Sequence, residues 1–316
     1  MNSTIWTDLL GVPFQQRFYN VAGHRTRVLE AGEGAPLVFL HGTGGHAEAY
    51  MRNIAEHAKH FHVYSIDMLG HGYTDKPADA DYTMALWSDH IVAFLDTIGA
   101  KRASLSGESL GAMVSAWTAI RHPQRVASLV MNTGILAPPN EKGRAELLDV
   151  LERSRKAAGQ LTREAVKARM QWLMFEPEKT LTDEIIDIRF KIYSQPGMAA
   201  VMGKIAATVL GGVTDEAFCR RWMNPEVMRD IQCPTLVLWT RHNPGQPVEL
   251  AQEAMKFIPR AELVVLEHSA HWPQWEEPEN FNAAHLEFLR KSVPALRYVS
   301  GKARAALPSV LSRSPR

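Results

Sequence analysis

Arg102-Ala-Ser-Leu-Ser-Gly107-Glu108-Ser109-Leu110-Gly111 reads as a short strand that ends at Gly107 and turns directly into a helix over Leu110–Arg121. A Gly-x-Ser-x-Gly run in that setting has a specific physical meaning. A serine on a sharp strand-to-helix turn sits in a strained backbone conformation. Glycines two before and two after it remove the Cβ atoms that would collide as the chain reverses. The turn lifts the hydroxyl to the carboxyl edge of a sheet. The helix N-terminus then offers backbone N–H groups where negative charge would develop. Ser109 is therefore the candidate nucleophile, and the Leu110 N–H is one candidate donor to an oxyanion.

The flanking sequence supplies the rest of such a sheet. Phe14–Asn20 alternates apolar and polar residues, turns at Ala22-Gly23 and continues over Thr26–Leu29, which predicts an edge hairpin. Pro36–Leu40, His62–Ile66, Val126–Asn132, Thr235–Trp239 and Leu263–Leu266 are short apolar runs suited to buried parallel strands. Helical patterns over Tyr50–His57, Met84–Ile98, Leu110–Arg121 and Val248–Phe257 alternate with them, which predicts an α/β fold. From Pro138-Pro139 to about Met228 only helical patterns occur, with a helix start at Thr182 and a flexible point at Gly211-Gly212. The expected organisation is a first core part (1–137), a helical insertion (138–228), a second core part (229–290) and a basic tail (291–316).

Composition narrows the class. The 316 residues carry a formal net charge of +1, which gives no reason to expect a nucleic-acid partner. Two isolated cysteines, Cys219 and Cys233, suit a reducing cytoplasm and do not make a metal site. Met1–Leu10 does not read as a signal peptide, and no apolar run reaches the roughly 18 residues of a membrane span.

Further motifs fall in a telling order. His41-Gly42-Thr43-Gly44-Gly45 follows one buried strand, and Asp67-Met-Leu-Gly70-His-Gly72 follows the next. His268-Ser-Ala-His271-Trp272 follows the last strand. With the elbow, these four resemble the α/β-hydrolase superfamily over nearly the whole chain. The resemblance implies a mostly parallel sheet flanked by helices with a helical cap in the insertion. It makes His271 the general base, Thr43 N–H the second oxyanion donor, and Gly42 part of the substrate-facing loop. Of thirteen histidines, His271 alone stands in the loop after the last strand directly before Trp272-Pro273; His242 and His268 fall near the site but in the wrong motif positions, and His41 belongs to the oxyanion loop. His24, His46, His57, His60, His62, His90, His122 and His285 read as surface or partly buried packing groups. No His, Cys and acid set has metal-ligand spacing, so no metal or organic cofactor is expected.

The triad acid is missing from its usual places. After the strand Thr235–Trp239 its position holds Asn243, and after the preceding core strand it holds Asn132. Three solutions stay open: Asn243 orients His271, Glu267 or Glu108 substitutes, or Ser109 and His271 act as a dyad.

Within the superfamily the chain looks most like the meta-cleavage-product hydrolases, which cleave a carbon–carbon bond in 2-hydroxy-6-oxo-dienoates from aromatic degradation. Asn53 resembles an active-site asparagine of that family, Arg189-Phe190 its Arg-Trp pair, and Trp272 its His-Trp. In place of the family's frequent Asn before the nucleophile stands Glu108. The resemblance implies substrate contacts from Asn53, Arg189, Phe190 and Trp272, with Arg189 clamping a carboxylate bidentately. It implies ketonisation of the dienol, attack by Ser109, and hydrolysis of an acyl-serine. The family often forms dimers, so a homodimer is admitted beside the small-molecule substrate; no membrane partner is expected. Two rivals remain: a carboxylesterase or lactonase on the same scaffold, and a low-turnover ligand-binding protein. Haloalkane dehalogenases and epoxide hydrolases need an Asp where Ser109 stands. Trp172, Met174, Met198 and Met202 are candidates to line an aromatic pocket.

Overall fold

The computed structural model describes residues 4–159, 161–209 and 211–292. Its centre is an eight-stranded sheet of β1 (Phe14–Val21), β2 (His24–Ala31), β3 (Pro36–Leu40), β4 (His62–Ile66), β5 (Ala103–Glu108), β6 (Val126–Asn132), β7 (Thr235–Thr240) and β8 (Ala261–Leu266). The spatial order is β1-β2-β4-β3-β5-β6-β7-β8. β1 pairs antiparallel with β2, and β2 with β4; every later pairing is parallel. The hairpin closes through Ala22 (φ 49°) and Gly23 (φ 88°), the two successive positive φ angles that a type I′ turn requires.

Both sheet faces are covered, as the continuous apolar runs demand. Leu37 and Phe39 of β3 enter one core cluster while Val38 and Leu40 enter the other. Leu236 and Leu238 of β7 alternate with Val237 and Trp239 in the same way. The helix Pro278–Ser292, which the sequence reading did not anticipate, closes the second face with Phe281, His285, Leu286, Phe288 and Leu289 buried.

Between β6 and β7 the described residues form helices and turns: Glu141–Gly159, Arg163–Trp172, Pro177–Thr180, Asp183–Tyr193, Met198–Val209 and Glu216–Trp222. Thr162, Thr182 and Asp215 cap three of them through side-chain oxygens that accept backbone N–H groups. Gly211-Gly212 opens a 3₁₀ turn over Gly211–Thr214 in which Gly212 is packed and Gly211 stands in open space. A Cβ on Gly212 would lie 2.6 Å from the Phe218 ring. No single helix among the described residues is long and apolar enough to cross a membrane. Of the expected basic tail, residues 293–316 lie outside the described residues.

Candidate active site

The parallel strands deliver their following loops to one edge of the sheet. The carboxyl ends of β3, β5, β7 and β8 lead to Gly42, Ser109, Asn243 and His271 respectively. Ser109 stands between β5 and the helix Leu110–Arg121 with φ 54° and ψ −113°, a conformation that L residues rarely adopt. The surroundings over-determine it. The Ser109 N–H donates to the Asn132 carbonyl at 2.9 Å, and the Ser109 carbonyl accepts from Ala112 at 3.0 Å. A Cβ on Gly107 would lie 2.0 Å from the Gly111 carbonyl oxygen, and one on Gly111 2.1 Å from that of Leu40. Both elbow glycines are thus required by backbone contact. Leu110 is the first residue of its helix, so its N–H has no intrahelical acceptor.

The loop after β3 is braced from behind. The His41 Nδ1–H donates to the Gly42 carbonyl at 2.8 Å, and His41 Nε2 accepts the Met68 N–H at 3.1 Å. Burial holds His41 down to about 3, so the ring stays neutral and this tautomer is maintained. Asp67, fully buried, accepts the Ala47 N–H at 2.7 Å and the Tyr73 N–H at 2.8 Å, and pairs with Arg27 at 3.0 Å. The Asp67–Gly72 motif is therefore a scaffold for the neighbouring loop.

His271 Nδ1 lies 2.6 Å from Asn243 Oδ1. An amide oxygen only accepts, so Nδ1 carries the proton and Nε2 presents its lone pair, the form a general base needs. Burial, helped by the positive charge of Arg169, lowers His271 to about 4. Thr133, another positive-φ residue (45°), donates to the His271 carbonyl at 2.9 Å. The His271 N–H donates to the Leu173 carbonyl at 2.9 Å, the Phe175 N–H to Glu276 Oε2 at 2.6 Å, and the Trp275 indole N–H to the Thr180 carbonyl at 2.9 Å. These bonds tie the helical insertion to the histidine loop.

One cavity collects these groups. Gly42, Thr43, Glu108, Ser109, Leu110, Arg189, His271 and Trp272 line it, together with apolar side chains that include Met113, Leu147, Val209, Val213 and Met223. Arg189 is 1% exposed, and none of its three guanidinium nitrogens has a hydrogen-bond partner among the described residues. Its guanidinium carbon lies 4.7 Å from the Trp272 ring centroid. Glu108 is equally buried. Its Oε2 accepts the Gly42 N–H at 2.6 Å, and its Oε1 stands 3.2 Å from His271 Nε2. Burial pushes Glu108 up to about 8, against the opposing pull of the Gly42 N–H and Arg189.

Several expected positions stand elsewhere. Asn53 is not at the cavity: its amide nitrogen donates to the Gln274 carbonyl and to Asn282 Oδ1, which fastens the helix Met51–Ala58 to the C-terminal helix. Phe190 is likewise absent from the lining and packs against the second core cluster. Trp172 lines the cavity, whereas Met174, Met198 and Met202 do not. Glu267 is about half exposed and paired with Arg241, so it does not stand behind His271. Asn132 donates to Gln274 Oε1 at 2.8 Å. His46, His57, His90 and His285, expected as surface or partly buried packing groups, are buried. The last accepts or donates at 2.9 Å to His57 and at 2.8 Å to Ser106, behind the elbow. Arg169, a cavity-lining residue, went unnoticed because a basic residue on an amphipathic helix carries no distinguishing signal.

A family model described as alpha/beta hydrolase fold matches residues 35–278. The chain is 28% identical over 280 residues to a 2-hydroxymuconate semialdehyde hydrolase of Pseudomonas putida, covering 86% of this chain and 92% of that protein. It is 27% identical over 290 residues to a 2-hydroxy-6-oxo-6-(2'-aminophenyl)hexa-2,4-dienoic acid hydrolase of Metapseudomonas resinovorans, covering 90% and 94%. Among solved structures, a serine hydrolase involved in carbazole degradation superposes with a TM-score of 0.72 at 27% identity, covering 88% of this chain and all of that one. A lipase-like structure from Acinetobacter baumannii superposes at 0.77 with 20% identity, covering 92% and 97%, a likeness of fold alone. Elbow, braced loop and histidine on one parallel sheet, with a family match across most of its length, make this chain a member of the alpha/beta hydrolase fold family.

Proposed function

We propose that this hydrolase cleaves the carbon–carbon bond of a 2-hydroxy-6-oxo-dienoate, using Ser109 as nucleophile and His271 as base. The observation that carries the reading is Arg189. A guanidinium buried to 1% exposure without a hydrogen-bond partner among the described residues is costly, and such charges persist in proteins where something pairs with them. Its fork of donors matches a carboxylate, and Trp272 beneath it offers an apolar face to a conjugated chain. The apolar lining from Leu147, Val209, Val213 and Met223 suits an alkyl or aryl group at C6. Relatives named for such dienoates, at 27% identity, support the same substrate class.

In this reading His271 Nε2 takes the Ser109 proton, and the Thr43 and Leu110 N–H groups receive the oxyanion. Asn243 fixes the tautomer through Oδ1 but brings no charge to stabilise an imidazolium. The chemistry calls on no metal or organic cofactor, and the reading keeps the cytoplasmic setting.

The test is direct. Purified enzyme is mixed with 2-hydroxy-6-oxo-dienoates bearing 6-phenyl or 6-methyl groups, and loss of their visible absorbance is followed together with the released acid. Release by wild type and its loss in Ser109→Ala support the reading. Turnover of simple esters or lactones without release from any dienoate would refute it.

A further inference from the structure

The carboxyl group in front of the nucleophile has no task in a serine–histidine mechanism, yet it is built into the cavity. Glu108 is the last residue of β5 and is 1% exposed. One oxygen, Oε2, is tied to the Gly42 N–H at 2.6 Å. The other, Oε1, lies 3.2 Å from His271 Nε2 and has no hydrogen-bond partner among the described residues. Burial outweighs the pull of the Gly42 N–H and of the Arg189 cation on the overlying helix, so the carboxyl keeps its proton up to about pH 8. Arg169 lines the same cavity as a second cation, whereas the Tyr50 hydroxyl, raised well above its ordinary value, and the His271 ring, lowered to about 4, are neutral.

The proposed reaction requires a proton that Ser109 and His271 do not deliver to carbon. In the dienol, C5 belongs to a double bond, and breaking C5–C6 in that state would leave a vinyl carbanion. A proton on C5 makes that carbon tetrahedral and lets the fragment leave as a conjugated dienolate. We propose that Glu108 is the acid that protonates C5, and that His271 is the base that takes the enol proton. The assignment rests on the dienoate reading above.

The step balances. The C2 hydroxyl proton passes to His271 Nε2, and the O–H electron pair becomes the C2 carbonyl. The C2=C3 pair moves to C3=C4, and the C4=C5 pair takes the Glu108 proton, leaving a carboxylate. The imidazolium returns its proton to that carboxylate across the 3.2 Å separation. No co-reactant is consumed, and His271 is again neutral to activate Ser109.

The experiment isolates this step in Ser109→Ala, which removes acyl transfer but leaves Glu108 and His271. Rapid mixing with a dienoate is expected to bleach the dienol without releasing the acid. Adding Glu108→Gln keeps an acceptor for the Gly42 N–H but removes the acidic proton, and should slow bleaching by about 10²–10³-fold. An unchanged rate in Ser109→Ala/Glu108→Gln overturns the assignment. Should that double variant fail to fold, the pH profile of Ser109→Ala decides. Bleaching should fall away above about pH 8, and a flat profile to pH 10 overturns the proposal. If wild type neither bleaches nor cleaves any dienoate, the substrate reading itself fails and the Glu108 role falls with it.

Discussion

Replacing Arg189 by Met separates a binding role from a structural one, because the two predict opposite signs for stability. Arg189 is fully buried, its nitrogens have no hydrogen-bond partners among the described residues, and burial lowers its pKa from the ordinary value. Its favourable contact is the Trp272 face at 4.7 Å, worth about 2 kcal/mol when desolvated, and a Met sulfur retains part of it. Desolvating a guanidinium costs several kcal/mol, and replacing buried charges by apolar residues of similar volume typically stabilises by about 1–4 kcal/mol. At about 2.1 cal/mol/K of unfolding entropy per residue, a chain of 316 residues should gain roughly 1.5–6 °C in Tm. The same change removes a charged two-pronged contact to the substrate carboxylate. At about 1.5–3 kcal/mol for each hydrogen bond to a charged group, KM for a dienoate should rise by roughly 10²-fold or more. Thermal unfolding of the free protein and steady-state kinetics on one preparation measure both. A variant that melts lower than wild type and keeps its KM would show that Arg189 is a structural residue, and would remove the observation on which the substrate reading rests.

Asn243→Asp should place a carboxylate 2.6 Å from His271 Nδ1, favour the imidazolium, and move the acidic limb of the pH–rate profile upward by at least one unit from its position near 4; an unmoved limb would mean that Asn243 does not govern the histidine. Asn243→Leu removes the acceptor that fixes the tautomer and should cost about 10²–10⁴ in kcat with KM little changed. Glu108 binds a proton in the folded state up to about pH 8, whereas the unfolded chain releases it near 4.5, so stability from this group is complete below 4.5 and is lost as pH rises to 8. That window corresponds to at most about 5 kcal/mol at 1.36 kcal/mol per unit. Glu108→Gln has no such loss, and denaturant melts at pH 5 and 8.5 should show its advantage over wild type growing with pH; parallel behaviour would contradict the buried, proton-holding carboxyl.

The sheet and the elbow could be read from the chain because their signals are local. The strand runs, the glycines at 107 and 111 and the loops after β3 and β8 are dictated by backbone geometry within a few residues. The structure shows the clashes that make those glycines necessary. What escaped the reading depends on contacts far apart in sequence. Asn53 resembled an active-site residue by its distance from the loop after β3. Its side chain instead bonds Gln274 and Asn282, more than 220 positions away. His57 and His285 read as surface or partly buried packing groups far apart in the chain, yet they meet at 2.9 Å in the core. Glu108 was conspicuous as an unusual residue before the nucleophile. Its neighbours Gly42 and His271, 66 residues before and 163 after, could be recognised only in the fold.

The charges around the site lead to one more consequence. With Asn243 neutral and Glu108 protonated at pH 7, no carboxylate among the described residues pairs with His271, while the Arg189 cation lines the same cavity. A proton moving from Ser109 to His271 would add positive charge beside the buried Arg189 cation, and Arg169 is one cause of the low pKa of the ring. An anionic substrate brings the compensating charge with it, so its carboxylate should assist chemistry as well as binding. Two aryl esters with the same leaving group test this, one a neutral butyrate and the other a glutarate hemi-ester with a free carboxylate. The hemi-ester should win in kcat/KM by roughly 10²-fold, about 2.7 kcal/mol of differential transition-state stabilisation, with part of the gain in kcat. Arg189→Met should abolish the gain in binding. Equal turnover of the two esters by wild type would mean that the cavity does not depend on an incoming anion, and would favour the esterase alternative over the dienoate hydrolase.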